Sequence, residues 1–287
     1  MVSSVGSDLV LPSYILRHNR PVYTRFGLIV NKIAMALAVC RLSVGLGAQW
    51  LNYPTPGTPR TADGKPNLSA PVPKTPDGKP DLSGTWESQS GYFQDLSKDL
   101  KPGEVVMQPW AKTLQAHREG HLHTDDLLVN CMPPGVPRIN MTAGNGMVHP
   151  FKIVQTPALV VLLYETSANS TFRQVFLDGR PLPKDPQPSW LGYSIGRWEG
   201  NTLVVDTIGF NGRAWLDTGK GHPQTEAGRV TERFTRRDFG HLDIEITIDD
   251  PQAYAKPWHA TVPVHLLPDS DLIETYCENE KDRPHMK

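Results

Sequence analysis

The stretch FNGRAWLDTGKGHPQTE, Phe210 to Glu226, carries the residue best suited to proton transfer. An imidazole titrates near neutrality, so His222 can serve as a general acid or base. Glu226, Asp217 or Asp206 are acids that could orient it, and Trp215 offers an apolar wall. A single loop histidine is also a common solvated turn residue, and both readings stay open here.

A second set of chemically capable residues consists of charges on apolar strand faces. In TLVVDT, Asp206 alternates with Val204 and Thr202. In RVTERF, Glu232 alternates with Val230 and Phe234, and in TFRQVFLD, Arg173 alternates with Val175 and Leu177. In ALVVLLYE, Glu165 follows Leu163 and Val161. A buried charge is costly unless paired. Arg173, Asp206 and Glu232 are therefore expected to face inward and meet in one cavity. The alternative is ion pairs that only fix strand register. The expected catalytic set is His222, Asp206 and Glu232. The expected ligand contacts are Arg173, Tyr164, Trp190, Trp215 and Arg138. Arg138 and Arg180 present forks that fit a carboxylate, and they can equally anchor loops.

Other chemistries lack their motifs. AHREGHLHTDD places His117 and His121 four apart, a spacing that can bind metal from one helical face. Gly120 weakens the helix there and no H-E-x-x-H pattern is present, so no metal is expected. SWLGYS lacks the G-x-S-x-G pattern of a nucleophile elbow. No glycine-rich phosphate cradle is found, and no cofactor is expected. A net charge of −1 gives no basic excess for nucleic acid.

These residues need a frame, and the chain's 24 glycines and 27 prolines point to many short strands and turns. LSGTWES is a first strand. GEVVMQPWAKTLQAHREG fits a short helix with Pro109 in its first turn and Trp110, Leu114 and His117 on one face. NCMPPGVPRINMTAGNGM is irregular. FKIVQ, ALVVLLYE and TFRQVFLD follow as strands. Hairpins then turn at Glu199-Gly200-Asn201, at Asp238-Phe239-Gly240 and at Pro268-Asp269-Ser270. Leu242, Ile244, Ile246 and Ile248 share one face; Trp258, Ala260, Val262, Val264 and Leu266 share another. PLPKDPQPSW is a rigid connection expected to drape across one end and deliver Trp190. About ten short strands joined by hairpins make an all-β, antiparallel up-and-down meander, best closed into a barrel.

Residues 1–48 read as an export leader. Arg17, Arg20, Arg25 and Lys32 precede the apolar run IAMALAVC, and small residues follow. That run is too short to span a bilayer, so no transmembrane span is expected in the mature chain. Residues 49–80 read as a Pro/Gly-rich tether, and residues 81–287 as the single folded domain. With Cys40 in the leader, Cys131 and Cys277 remain as a pair for an oxidising, periplasmic or secreted setting. The tether holds a repeat: RTADGKPNLSAPV precedes KTPDGKPDLSGTW, with fourteen residues from Asp63 to Asp77. Only the second copy runs on into Gly-Thr-Trp, which marks where the fold starts.

Gly84-x-Trp86 after such a lead-in resembles the opening of lipocalin-like (calycin) barrels, which implies a Trp packed across the barrel floor. DGKPDLSGTW, CMPPGVPR, SWLGYSIGRWEGNTLVVDTIGFN, RVTERFTRRDFGHLDIEITIDDPQAYAKPW and YCENE together resemble a widespread family of exported bacterial proteins. That resemblance implies export and one β-rich domain, and it implies no activity. The first functional reading is a barrel that binds a small, largely apolar molecule able to carry a carboxylate. The second is a cofactor-independent lyase, isomerase or hydrolase. The third is a structural envelope protein.

Overall fold

The computed structural model describes residues 53–275 and Cys277, apart from 142, 145–146 and 167–169. The leader expected over 1–48 lies outside the described residues. The frame is a closed, mostly antiparallel β-barrel of nine strands. These are β1 (Gly84–Ser88), β4 (Phe151–Gln155), β5 (Leu159–Tyr164), β6 (Thr171–Phe176), β7 (Tyr193–Glu199), β8 (Thr202–Ile208), β9 (Arg229–Arg236), β10 (His241–Asp249) and β11 (Trp258–Leu266). A separate two-stranded sheet pairs β2 (Ala143–Gly144) with β3 (Met147–Val148). Helix α1 (Pro109–Glu119) and the short α2 (Leu122–Asp125) precede the sheet.

Closure follows from alternation. On β10, Leu242, Ile244, Ile246 and Ile248 are buried, and Trp258, Ala260, Val262, Val264 and Leu266 face them from β11. Each Leu, Ile or Val of these rows contributes about 1.5–3 kcal/mol on burial. A ring of nine strands cannot alternate direction all the way round, so one neighbouring pair must run parallel. That pair is β6 and β7. The proline-rich connection of residues 177–192 therefore has to return the length of a strand. It runs alongside the wall, with Ser189 bridged to Phe210, and does not simply cross an end.

The third expected hairpin is a half. β11 turns at Pro268, but residues 271–275 form no strand among the described residues. β11 instead pairs with β1, and β1 with β4, which seals the ring. On α1 the buried residue is Ala111, while of the expected face Trp110 and His117 are exposed and Leu114 is half-buried. The Trp110 indole N–H donates to Gln252 O at 2.9 Å. Helix α1, residues 126–141 and the β8–β9 loop form one bonded layer, the cap, through Gln115 with His222, Arg138 with Thr218 and Gln224 with Val136 O.

The segment expected as a tether is an ordered strap on the barrel from residue 53 onward. Its two repeats fold alike. Thr61 N donates to Lys65 O and Thr75 N to Lys79 O, both at 2.9 Å. Gly64 and Gly78 take φ of +83° and +77°, the left-handed region that glycine enters freely. Ala70 and Leu82 are buried. The strap leads to the barrel floor, where Trp86 is fully buried and donates its indole N–H to Leu82 O at 2.9 Å. The Arg236 guanidinium lies 4.9 Å from the Trp86 ring and bonds the carbonyls of Asp81 and Phe239. Burial lowers its pKa to about 10.

Candidate functional site

The upper half of the barrel holds a buried polar network. Arg173 reaches inward from β6 and donates from Nη2 to Glu232 Oε2 on β9 at 2.5 Å. The same nitrogen bonds Thr207 Oγ1 at 2.7 Å, and Nε bonds Ser194 Oγ at 2.9 Å. Asn140 Nδ2 donates to Glu232 Oε1 at 2.6 Å, and the Tyr164 hydroxyl donates to Asn140 Oδ1 at 2.8 Å. Asn140 belongs to the 3-10 turn Arg138–Met141, which is buried throughout and plugs this end. Burial works against the charge of Arg173, but Glu232 and Tyr164 hold its pKa above the ordinary value. Burial pushes the Tyr164 phenol well up, so it stays protonated and able to donate. One atom is left over: Arg173 Nη1 is buried and has no hydrogen-bond partner among the described residues. Ser88 Oγ and Trp258 Nε1, on inward positions of β1 and β11, share that condition.

Asp206 is not in this network. Its carboxylate lies on the outer face of β8, opposite Thr231, and it is clamped there. Arg197 Nη1 donates at 2.6 Å and Arg229 Nη2 lies at 2.9 Å. The expected meeting of Arg173, Asp206 and Glu232 thus reduces to Arg173 with Glu232. Leu203, Val204 and Val205 are all buried, so β8 is apolar on both faces and its inward parity cannot be read from hydrophobicity.

His222 sits in the cap over this same end. It is buried, and its Nδ1 lies 2.6 Å from Asp217 Oδ2. Asp217, itself fully buried, also accepts from Leu96 N at 2.9 Å and from His222 N at 3.2 Å. That arrangement places the ring proton on Nδ1 and leaves Nε2 as an acceptor, 3.3 Å from the amide nitrogen of Gln115 on α1. The ring of Trp258 lies 5.6 Å away. Neither Asp206 nor Glu232 bonds His222 among the described hydrogen bonds; of the sequence candidates for orienting it, Asp217 takes the role.

The other expected ligand contacts are scattered. Arg138 is buried, and its guanidinium bonds Asp126 and Thr218 of its own chain. Trp215 is buried under the guanidinium of Arg118, 4.5 Å from its ring. Trp190 is half-buried near Arg213. Sequence reading missed Asn140, Ser194, Thr207 and Gln115. Ser194 and Thr207 are directly paired across β7 and β8, and that pairing was the available signal once the hairpin register is set. Asn140 lies in a Pro/Gly-rich stretch with no periodicity to place it. At the floor end, a cleft of about 420 Å³ opens between the strap, β1 and β4, walled by Ile153, Phe239 and Leu266.

Cys131 and Cys277 form a disulfide, joining the cap to the chain beyond β11. No helix among the described residues is long and apolar enough to cross a membrane.

No family model matches the chain, and no curated protein matches it. Among solved structures, a REP1-NXSQ fatty acid transporter aligns at 13% identity over 67% of this chain and 98% of the other, with a TM-score of 0.33. A point mutant of that transporter aligns at 12% identity over 65% and 98%, again at 0.33. At that score the likeness is too loose to bear on ligand or mechanism.

Proposed function

We propose that this barrel binds a small, largely apolar molecule whose polar end, a carboxylate or similar acceptor, meets Arg173. The observation that carries the reading is the buried Nη1 of Arg173, which has no hydrogen-bond partner among the described residues, in a polar network with Tyr164, Asn140 and Glu232 flanked by the apolar rows of β10 and β11. A buried donor without a partner costs about 1–3 kcal/mol, and a ligand acceptor removes that cost. Glu232 fixes the guanidinium through Nη2 and leaves Nη1 for the ligand. Export belongs to the same reading: the disulfide suits an oxidising compartment, and the order of basic, apolar and small residues before position 49 suits a leader.

The test is displacement of a fluorescent fatty-acid probe by a long-chain carboxylic acid and by its methyl ester. The acid should compete at least tenfold better than the ester. Arg173→Met with Glu232→Leu removes both charges together and should abolish that preference while the fold persists. Equal competition by acid and ester in the unaltered protein would sink the reading.

The His222–Asp217 pair favours a second reading, a cofactor-independent lyase, isomerase or hydrolase. Asp217 holds the ring in one tautomer, and Nε2 is the atom that would take a substrate proton once Gln115 moves aside. Native mass spectrometry of protein from its own source separates the two. A co-purifying molecule returned unchanged supports binding, whereas conversion lost in His222→Gln supports the enzyme.

A further inference from the structure

We infer that His117, His121 and Asp125 form a surface site for a divalent transition-metal cation of the zinc class. Their donor atoms all lie within 4.8 Å of one another, and all three residues are exposed. The site is separate from the barrel interior and from the His222–Asp217 pair.

The local backbone builds it. Helix α1 ends at Glu119, but Gly120 keeps right-handed helical dihedrals, φ −84° and ψ −10°. The glycine that weakens the helix in sequence therefore carries the turn one step further. His121 stays above His117, and the two rings stack with centroids 4.2 Å apart and planes 17° from parallel. His121 N and Asp125 N are both bonded in turns, to Arg118 O and His121 O, which brings α2 back over the end of α1.

Each donor is already oriented. His121 Nδ1 lies 2.8 Å from His117 O. A carbonyl only accepts, so the proton is on Nδ1 and the lone pair is on Nε2, free for a cation. His117 Nε2 lies 2.9 Å from Asp125 Oδ2, the position where a metal ion replaces a shared proton. Thr124 Oγ1 donates to Asp125 Oδ1 at 3.1 Å, holding the carboxylate with Oδ2 toward the histidines. The next residue, Asp126, is locked in the buried pair with Arg138, which anchors the acid's end of the site. Small side-chain rotations bring the three donors to the roughly 2.0–2.2 Å of Zn–N and Zn–O bonds. Two imidazoles and one carboxylate select Zn²⁺, Cu²⁺ or Ni²⁺ over Mg²⁺ and Ca²⁺. Three protein ligands also leave a tetrahedral position open for water.

The other cluster of this kind among the described residues, Asp95, Asp217 and His222, does not compete. The carboxylate of Asp217 is filled by Leu96 N and by His222, and Asp95 Oδ1 accepts from Ser97.

The test is calorimetric titration of Zn²⁺, and separately Mg²⁺, into full-length protein dialysed against a chelator. One equivalent of Zn²⁺ should bind with micromolar or tighter affinity, and Mg²⁺ should not. His121→Ala should weaken Zn²⁺ at least tenfold and Asp125→Asn severalfold. His241→Ala, a surface histidine bonded to Asp238 elsewhere, should leave the titration unchanged. Far-UV circular dichroism on each variant reports folding independently. The inference is overturned if the unaltered protein binds no stoichiometric Zn²⁺, or if folded His121→Ala binds it as tightly.

Discussion

Arg173 on β6 and Glu232 on β9 meet at 2.5 Å although β7 and β8 lie between their strands in the ring. Side chains on non-neighbouring strands can touch only by spanning the interior as a chord. The pair therefore defines the inside of the barrel, and Ser194 and Thr207 on the intervening strands complete its shell. An ion pair desolvated this fully is poor value as a source of stability, because replacing both charges with apolar groups is often neutral or better. The same pair leaves Arg173 Nη1 without a hydrogen-bond partner among the described residues.

Single and double replacements of this pair should behave oppositely. Glu232→Gln leaves the Arg173 charge buried without its counter-ion and should cost about 3–5 kcal/mol. Arg173→Met with Glu232→Leu should fall within about 2 kcal/mol of the unaltered protein, or exceed it. Urea unfolding followed by tryptophan fluorescence measures both. A double variant as unstable as the single one would mean that the pair is needed for folding and not for a ligand.

Much of this frame was legible because alternation was strong. The isoleucines of β10 and the apolar row of β11 could face only one way, and the turn expected at Glu199-Gly200-Asn201 lies where β7 meets β8, with Glu199 already paired to Thr202. The inward placement of Arg173 and Glu232 followed from their apolar neighbours at period two. Asp206 misled because Leu203-Val204-Val205 is apolar on both faces, so the strand offers no parity signal. The parallel β6–β7 seam depends on the count of strands around a closed ring, which no local pattern encodes. The strap was hidden for a related reason. Its order comes from backbone bonds within each turn and from Leu68, Ala70 and Leu82 docking on the barrel, not from a core of its own.

Asp206 should make the outer wall acid-sensitive. Partial burial raises its pKa, but Thr231, Arg229 and Arg197 outweigh that and hold it below the usual 3.8. A depressed folded value contributes stability above the unfolded pKa, and that contribution is lost as pH falls through the folded value. Thermal melts from pH 7 to pH 2.5 should therefore show a loss below about pH 4 that Asp206→Asn reduces, while the variant is less stable at pH 7. Parallel melting curves for the two proteins across this range would refute the clamp.

The Cys131–Cys277 bond ties the cap to the chain end across a sequence separation of 146. Closing a loop of that length stabilises by roughly 2–5 kcal/mol. Protein lacking residues 1–48, and with them Cys40, should gain no mass from a thiol-blocking reagent until it is reduced, and then gain two equivalents. Reduction should lower the urea midpoint. Two blocked thiols before reduction, in protein taken from an oxidising compartment, would contradict the bond.

The two strap repeats should differ in weight although they fold alike. In each, the threonine hydroxyl bonds the aspartate at 2.5 Å and a lysine carbonyl at 3.0 Å. Their leucines then diverge. Leu82 is fully buried, and its carbonyl accepts the indole N–H of Trp86 on the barrel floor. Leu68 is half-buried at the rim, its carbonyl accepting from Gly240 N at 2.7 Å. Leu82→Ala should cost about 2–5 kcal/mol, as deletion of a core leucine does, and Leu68→Ala clearly less. Gly240→Ala isolates the rim contact, since its new Cβ would lie 2.5 Å from Leu68 Cβ. It should release the first repeat while the second keeps its seat. Limited proteolysis then reads the difference: cleavage near residues 60–70 should accelerate in Gly240→Ala, and the fragment from residue 73 onward should persist. If Leu68→Ala and Leu82→Ala destabilise equally, the two repeats act as one unit and the fold begins at the first.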